Sequence, residues 1–224
     1  MRNIAILFFL TTLASAASAA SESLVTREFR SSVPRSGTLR LVIDLPPSEV
    51  TIGNGPSGTI EAFGTVSRAY GKAADIAVAQ QIVDDSSVRI DIQGTRAIIR
   101  RHLGPAAQGR RARRTKSDFK VTLLVPEGMH VELRQKAGEV KIAGAFGNIL
   151  VRMRAGDVSI AVPKRTIKEL IASVRVGDVT TNLGDRIISR EGFFAGKTHF
   201  FNEGGNSILD VRLTAGNVDI NLTE

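Results

Sequence analysis

The second half of the chain alternates apolar and polar residues in short runs. Examples are VKI at Val140–Ile142, ILVRMR at Ile149–Arg154 and VSIAV at Val158–Val162. A period of two residues is typical of a β-strand that buries one face. Because helical spacing is absent after Phe119, this half is predicted to be all β.

A short motif recurs in this half at intervals of about 20 residues. Its forms are AGEVKI, AGDVSI, VGDVTT, AGKTHF and AGNVDI, and its glycines are Gly138, Gly156, Gly177, Gly196 and Gly216. Repeats of this length favour a β-solenoid or β-roll of stacked short strands. Each glycine would turn the chain at a corner. Val140, Val158, Val179 and Val218 would then form one inward column. The alternative is an ordinary β-meander punctuated by glycines.

The first half carries a looser copy of the motif at Ser48–Val66. One helix is predicted there, because Ile76, Ala79, Ile82 and Val83 recur at helical spacing. Alternating runs predict further strands at Leu39–Pro46, Val88–Gln93 and Asp118–Pro126. The fold class is therefore all-β, with one short helix in the N-terminal half.

The N-terminus has the pattern of a secretory signal peptide. Arg2 precedes a ten-residue apolar run at Ile4–Leu13, and small residues in an A-x-A arrangement follow at Ala14–Ala20. Cleavage after Ala19 would leave residues 20–224 as one repetitive domain, with a looser half at 38–118 and regular repeats at 119–224. An uncleaved anchor or a buried hydrophobic start is the alternative.

The chain contains no cysteine. Disulfides, thiolate metal sites, thiol nucleophiles and acyl anchors are therefore excluded. An exported chain that needs no disulfide is typical of a bacterial envelope. We expect a soluble protein after cleavage, in the periplasm or outside the cell.

At this point the chain resembles the bacterial putative-adhesin β-strand-repeat family, whose function is unknown. The resemblance is carried by VTLLVPEGMHVELRQKAGEVKIAGAFGNILVRMRAGDVSI and by the later Gly-Asp-Val and Gly-Asn-Val units. It extends over nearly the whole chain after the signal peptide. It implies a β-solenoid or β-roll in an exported, adhesin-like protein, and it brings no catalytic residues.

Candidate catalytic and metal-binding residues are few. His102, His130 and His199 are isolated and lack the spaced partners of a zinc site. The glycine-rich segment Gly53–Gly58 has no following helix to bind a phosphate, so it is predicted to be a turn. We expect no catalytic residue, no metal site and no cofactor.

The residues around the repeat glycines suggest two charged columns. Glu139, Asp157 and Asp178 follow the first three glycines, and Lys136, Arg154 and Arg175 precede them by two positions. Exposed ion pairs between neighbouring coils, each contributing about 0–1 kcal/mol, are the expected result. A small polysaccharide-active enzyme, which needs clustered carboxylates, is the alternative function.

The whole charge imbalance lies in a basic tract from Arg96 to Lys116, since the rest of the chain has 22 basic and 22 acidic residues. This tract holds eight basic residues and no acidic one, in a chain of net charge +8. Its middle is predicted to be a mobile loop. Anionic-ligand binding is assigned to Arg100, Arg101, Arg110, Arg111, Arg113, Arg114 and Lys116, with a merely solubilising loop as the alternative.

The expected partners are anionic: polysaccharide, lipopolysaccharide or a membrane surface. Another envelope protein is a further candidate partner, and nucleic acid is disfavoured because aromatic stacking residues are scarce. The predicted function is a non-enzymatic exported envelope or surface protein that uses its β-fold as a binding scaffold. Besides the enzyme, an exported sensory or regulatory domain remains an alternative.

Overall fold

A computed structural model describes residues 23–35, 37–70, 75–108, 117–184, 187–190 and 196–224, the last two residues of 187–190 by their backbone alone. The predicted signal peptide lies outside the described residues. So do Arg110, Arg111, Arg113, Arg114 and Lys116 of the basic tract.

The described chain is mostly β. Its strands are β1 (Ser23–Pro34), β2 (Arg40–Asp44), β3 (Ser48–Asn54), β4 (Thr59–Tyr70), β5 (Ser86–Gln93), β6 (Arg96–Leu103), β7 (Ser117–Val125), β8 (His130–Ala143), β9 (Ile149–Pro163), β10 (Ile167–Val176), β11 (Val179–Asn182), β12 (Ile187–Arg190), β13 (Gly196–Phe201) and β14 (Ser207–Thr223). Its helices are α1 (Ile76–Asp84) and α2 (Pro105–Gln108), with a 3₁₀ turn at Lys164–Thr166.

Three long strands form the centre of a single sheet that does not close on itself. β8 and β14 both pair in parallel with β9, one on each side. Each of these strands crosses a corner, and the two halves of β8 and of β14 have different outer neighbours. The first half of β8 pairs with β2 and its second half with β3, while β14 pairs with β10 and then with β11. The sheet therefore has two arms that meet along the corner.

The predicted column of valines is confirmed. Val140 stands opposite Val158, Val158 opposite Val218, and Val218 opposite Val179. All four side chains are buried, and Val50 of β3 extends the column by one strand. The alternating pattern in the sequence therefore identified the buried face of this arm.

The prediction of a β-solenoid or β-roll is not confirmed. In a solenoid the repeats would stack in chain order, but here β14 lies between β9 and β10. The glycine order in space is thus Gly138, Gly156, Gly216 and Gly177. The reason lies in strand continuity: β14 pairs with β9 from Leu209 to Thr223, whereas β10 and β11 are separate short strands.

Gly196 does not belong to the corner glycines. It lies on β13 opposite Val174 of β10, in an antiparallel pair. The four corner glycines, Gly138, Gly156, Gly177 and Gly216, have φ between +121° and +136°, a conformation that glycine adopts readily. An added Cβ at Gly156 would stand 1.8 Å from the carbonyl oxygen of Gly138. Close strand approach and positive φ together require glycine at this corner.

The helix predicted from Ile76, Ala79, Ile82 and Val83 is confirmed as α1. Ala79, Ile82 and Val83 are buried, while Ile76 is exposed at the start of the helix. The sequence did not predict α2, which begins the segment that we expected to be a loop. It also did not predict β1, which pairs with β4 along its full length.

A conservative truncation in the core tests this packing. Ile160 on β9 is 1 % exposed, whereas Ile187 on β12 is 69 % exposed. Ile160→Val should lower the free energy of unfolding by about 0.5–1.5 kcal/mol, because it deletes a buried methylene. Ile187→Val should change it by less than about 0.5 kcal/mol. Chemical denaturation of both variants checks the pair, and equal effects would contradict the burial described.

A candidate anion-binding groove

An open groove of about 820 Å³ runs across the outer side of the corner. Strands β2, β6, β8, β9 and β14 contribute to it, together with the segment that joins β2 to β3. Seven basic residues and one acidic residue, Asp44, line it. The basic residues are Arg100, Arg101, Arg134, Lys136, Arg152, Arg154 and Arg212.

Strand register places most of these charges in one row, called here the arginine row. Arg100 of β6 stands opposite Asp44 of β2, which stands opposite Arg134 of β8. Arg134 stands opposite Arg152 of β9, and Arg152 opposite Arg212 of β14. Like charges placed directly opposite one another destabilise a sheet. The row therefore calls for an explanation other than stability.

Two carboxylates beside the row hold three of its guanidinium groups. Glu132 forms an ion pair with Arg134 at 2.7 Å. Asp210 contacts Arg152 at 2.5 Å and Arg212 at 3.1 Å. Arg134 and Arg212 nevertheless keep 70 % and 57 % of their side-chain surface exposed. The carboxylates thus orient guanidinium groups whose remaining N–H donors face solvent.

A second row of cations lies at the corner itself, at Lys136 and Arg154. Both side chains are exposed, and neither pairs with a carboxylate in the described part of the chain. The prediction of ion pairs between the two charged columns is therefore wrong for Lys136 and Arg154. The physical reason is the bend at the corner glycine, which lies between each cation and the following acid and separates them onto different arms.

The acids of the predicted anion column have other partners. Glu139 pairs with Lys141 on its own strand at 2.7 Å. This hydrogen bond, together with the charge of Glu139, raises the pKa of the Lys141 ammonium. Asp157 accepts hydrogen bonds from the backbone and the side chain of Asn217. Lys136 and Arg154 are thus left available to a ligand.

Of the site residues predicted from the sequence, the structure places Arg100 and Arg101 at the groove. Arg101 also lies over the ring of Phe119, with its guanidinium carbon 5.9 Å from the ring centre. The remaining tract residues lie outside the described residues.

Sequence reasoning missed Arg134, Arg152 and Arg212. A signal for them was present, since each lies four residues before a corner glycine.

The histidines make separate local contacts. His130 accepts a hydrogen bond from the backbone of Asn148, and His199 lies 3.0 Å from Glu169. Within the described ranges, no three His, Asp or Glu side chains come together in a way that would hold a metal ion. No helix in that part of the chain has the length and apolar character needed to cross a membrane.

Several solved structures are similar to this chain, among them the following three. A putative cell adhesion protein from Clostridium sporogenes has a TM-score of 0.50 and 13 % sequence identity, over 89 % of this chain and 100 % of its own. A putative adhesin from Bacteroides fragilis has a TM-score of 0.23 and 12 % identity, over 90 % and 98 %. A putative lipid binding protein from Parabacteroides distasonis has a TM-score of 0.26 and 8 % identity, over 66 % and 65 %.

No family model matches the chain, and neither does any curated protein. At 13 % identity, the Clostridium sporogenes structure shows a shared fold and nothing about function. The other two similarities are too weak to support an argument. Functional reasoning therefore has to start from the groove.

Proposed function

We propose that this chain is an exported, non-enzymatic, adhesin-like module that binds anionic polymers of the bacterial envelope through the groove. The observation that carries the proposal is the excess of seven basic residues over one acidic residue in a single concave surface. Arginine forks match carboxylate and phosphate oxygens in pairs, so exposed guanidinium groups in a row suit an anionic ligand.

The fold supports the adhesin-like part of the proposal. A structural neighbour that aligns over 89 % of the chain with a TM-score of 0.50 is named a putative cell adhesion protein. Membership of the β-strand-repeat adhesin family, suggested by the repeat motif, belongs to the same proposal. Localisation in the periplasm or outside the cell follows from the predicted signal peptide.

Binding is favoured over catalysis by the pairing of the carboxylates beside the groove. Glycoside hydrolysis needs one carboxyl group that gives up a proton and a second that acts as nucleophile or base. Glu132 and Asp210, the acids beside the arginine row, are each paired with arginine. Both carboxylates are thus engaged by arginine, and Asp44 is the one acidic residue that lines the groove itself. The groove is thus better suited to hold an acidic polymer than to cleave it.

Two variants of equal charge change separate the groove from the basic tract. The groove variant carries Arg134→Ser, Lys136→Ser, Arg154→Ser and Arg212→Ser. The tract variant carries Arg110→Ser, Arg111→Ser, Arg113→Ser and Arg114→Ser. Each removes four positive charges and takes the formal net charge from +8 to +4. Affinity for polygalacturonate, measured by calorimetry at low and high salt, is the readout.

The groove variant should bind at least about tenfold more weakly and lose most of its salt dependence, because exposed charges are screened over about 8–10 Å. The tract variant should lose less. A larger loss of affinity in the tract variant than in the groove variant would place the binding site in the basic tract. Absence of binding by the unaltered protein would refute the proposal.

Export is tested independently of binding. The mature protein recovered from outside the cytoplasm should begin near Ala20, because the apolar run ends in small residues. N-terminal sequencing of that fraction is the measurement. A chain that still begins at Met1 would contradict cleavage.

A further inference from the structure

The arginine row has a direction and a length. It crosses β6, β2, β8, β9 and β14 at one register level. Adjacent strands lie about 4.8 Å apart, so the row extends over about 19 Å, perpendicular to the strands. A single small anion contacts one or two of these side chains. An extended chain with charges at regular intervals can contact all of them.

Asp44 interrupts the row and limits the chemistry of the ligand. It stands in register between Arg100 and Arg134, is exposed, and forms no ion pair with a basic side chain in the described part of the chain. A carboxylate is an acceptor only. It repels an anion placed over it and accepts a hydrogen bond from a hydroxyl group. A ligand that fits the whole row therefore carries hydroxyl donors as well as anions.

We infer that the groove binds an acidic polysaccharide with carboxylates on successive sugars, lying across the strands along the arginine row. This inference rests on the proposed function and gives it a ligand class and an orientation. The carboxylates meet Arg100, Arg134, Arg152 and Arg212, and a sugar hydroxyl donates to Asp44.

The same geometry disfavours two other anionic ligands. Linear polyphosphate has no hydroxyl donors along its chain, so Asp44 opposes its binding. A membrane presents compact head groups on a flat surface, whereas these cations lie in a concave groove. These ligands are comparison arms of the test.

The first experiment measures dependence on chain length. Galacturonate oligomers of two, four, six and eight sugars are titrated against the protein. Affinity should rise by about tenfold or more from the shortest oligomer and level off once the oligomer spans the row, because linked charges bind as one multivalent ligand. Phosphatidylglycerol vesicles at equal charge concentration should bind more weakly than the eight-sugar oligomer.

The second experiment uses Asp44→Ala, a change at an exposed position that removes one charge and one acceptor. Affinity for the eight-sugar oligomer should fall by about threefold to tenfold, because the hydrogen bond to the sugar hydroxyl is lost. We expect this loss to exceed the affinity gained by removing the negative charge of Asp44. Affinity for linear polyphosphate of matched charge should rise, since only the repulsion is lost. The groove variant serves as the control that abolishes both interactions.

The outcomes separate this inference from the proposed function. The inference is overturned if groove-dependent binding does not depend on oligomer length. It is also overturned if Asp44→Ala increases affinity for the oligomer. In both cases the groove remains an anion-binding site. Tighter binding to vesicles than to any oligomer assigns the groove to lipid and also overturns it. Absence of all groove-dependent binding refutes the proposed function itself.

Discussion

Replacing Gly156 with alanine should remove about 4 kcal/mol or more from the free energy of unfolding and leave little folded protein. The new Cβ would lie 1.8 Å from the carbonyl oxygen of Gly138 on β8 and 2.9 Å from its carbonyl carbon. Both are backbone atoms, so no side-chain rotation relieves the clash. The φ of +121° adds strain for any residue with a side chain. Three parallel strands meet at this corner, and all of them would have to shift.

Gly58→Ala is the matched control for this substitution. No atom lies within 4 Å of a Cβ added at Gly58, and its φ is outside the left-handed region. Its stability should stay within about 0.5 kcal/mol of the unaltered protein. Guanidinium denaturation followed by circular dichroism compares the two. A Gly156→Ala protein with unchanged stability would contradict the strand stacking at the corner.

Reversing the two corner cations should produce the largest loss of ligand binding. The double variant Lys136→Glu/Arg154→Glu should bind polygalacturonate at least about thirtyfold more weakly at low salt, because attraction becomes repulsion inside the groove. Its stability should hardly change, since neither residue has a carboxylate partner in the described part of the chain. Titration calorimetry and a denaturation curve on the same sample measure both effects.

Arg165→Glu/Lys168→Glu provides a control with the same change in net charge. Arg165 and Lys168 are exposed and do not line the groove. Their reversal should weaken binding by no more than about threefold, through the long-range field alone. Equal losses in the two double variants would mean that the protein attracts anions by net charge, with no defined site.

The corner and its buried valine column were predictable from the sequence, because they depend on short-range pattern. Alternation identified the buried Val140 and Val158, and the recurrent glycine identified the corners at Gly138, Gly156, Gly177 and Gly216. The spatial order of the repeats was not predictable in this way. Their motifs are nearly equivalent, so any of them fits beside any other. The long continuous pairing of β14 with β9 decides the order.

The same distinction applies to the groove. The tract from Arg96 to Lys116 stood out because its charges are contiguous, and the structure places its Arg100 and Arg101 at the groove. Arg134, Arg152 and Arg212 are far apart in the sequence and become neighbours only through strand register. A cation repeated four positions before a corner glycine is a weak signal until the pairing is known. The sequence therefore did not reveal the part of the groove that is built from residues distant in the chain and brought together by strand pairing.

Chemical-shift mapping with the eight-sugar galacturonate oligomer tests the central claim most directly, since it locates the ligand without any substitution. The account predicts that the shifts concentrate on the guanidinium and backbone signals of Arg100, Arg134, Arg152 and Arg212 and at the corner residues Lys136 and Arg154. Signals of Glu139 and Asp157, on the other arm, should remain nearly unchanged. Shifts confined to residues 109–116, shifts centred on the acidic arm, or no shifts at all would contradict a polysaccharide-binding groove.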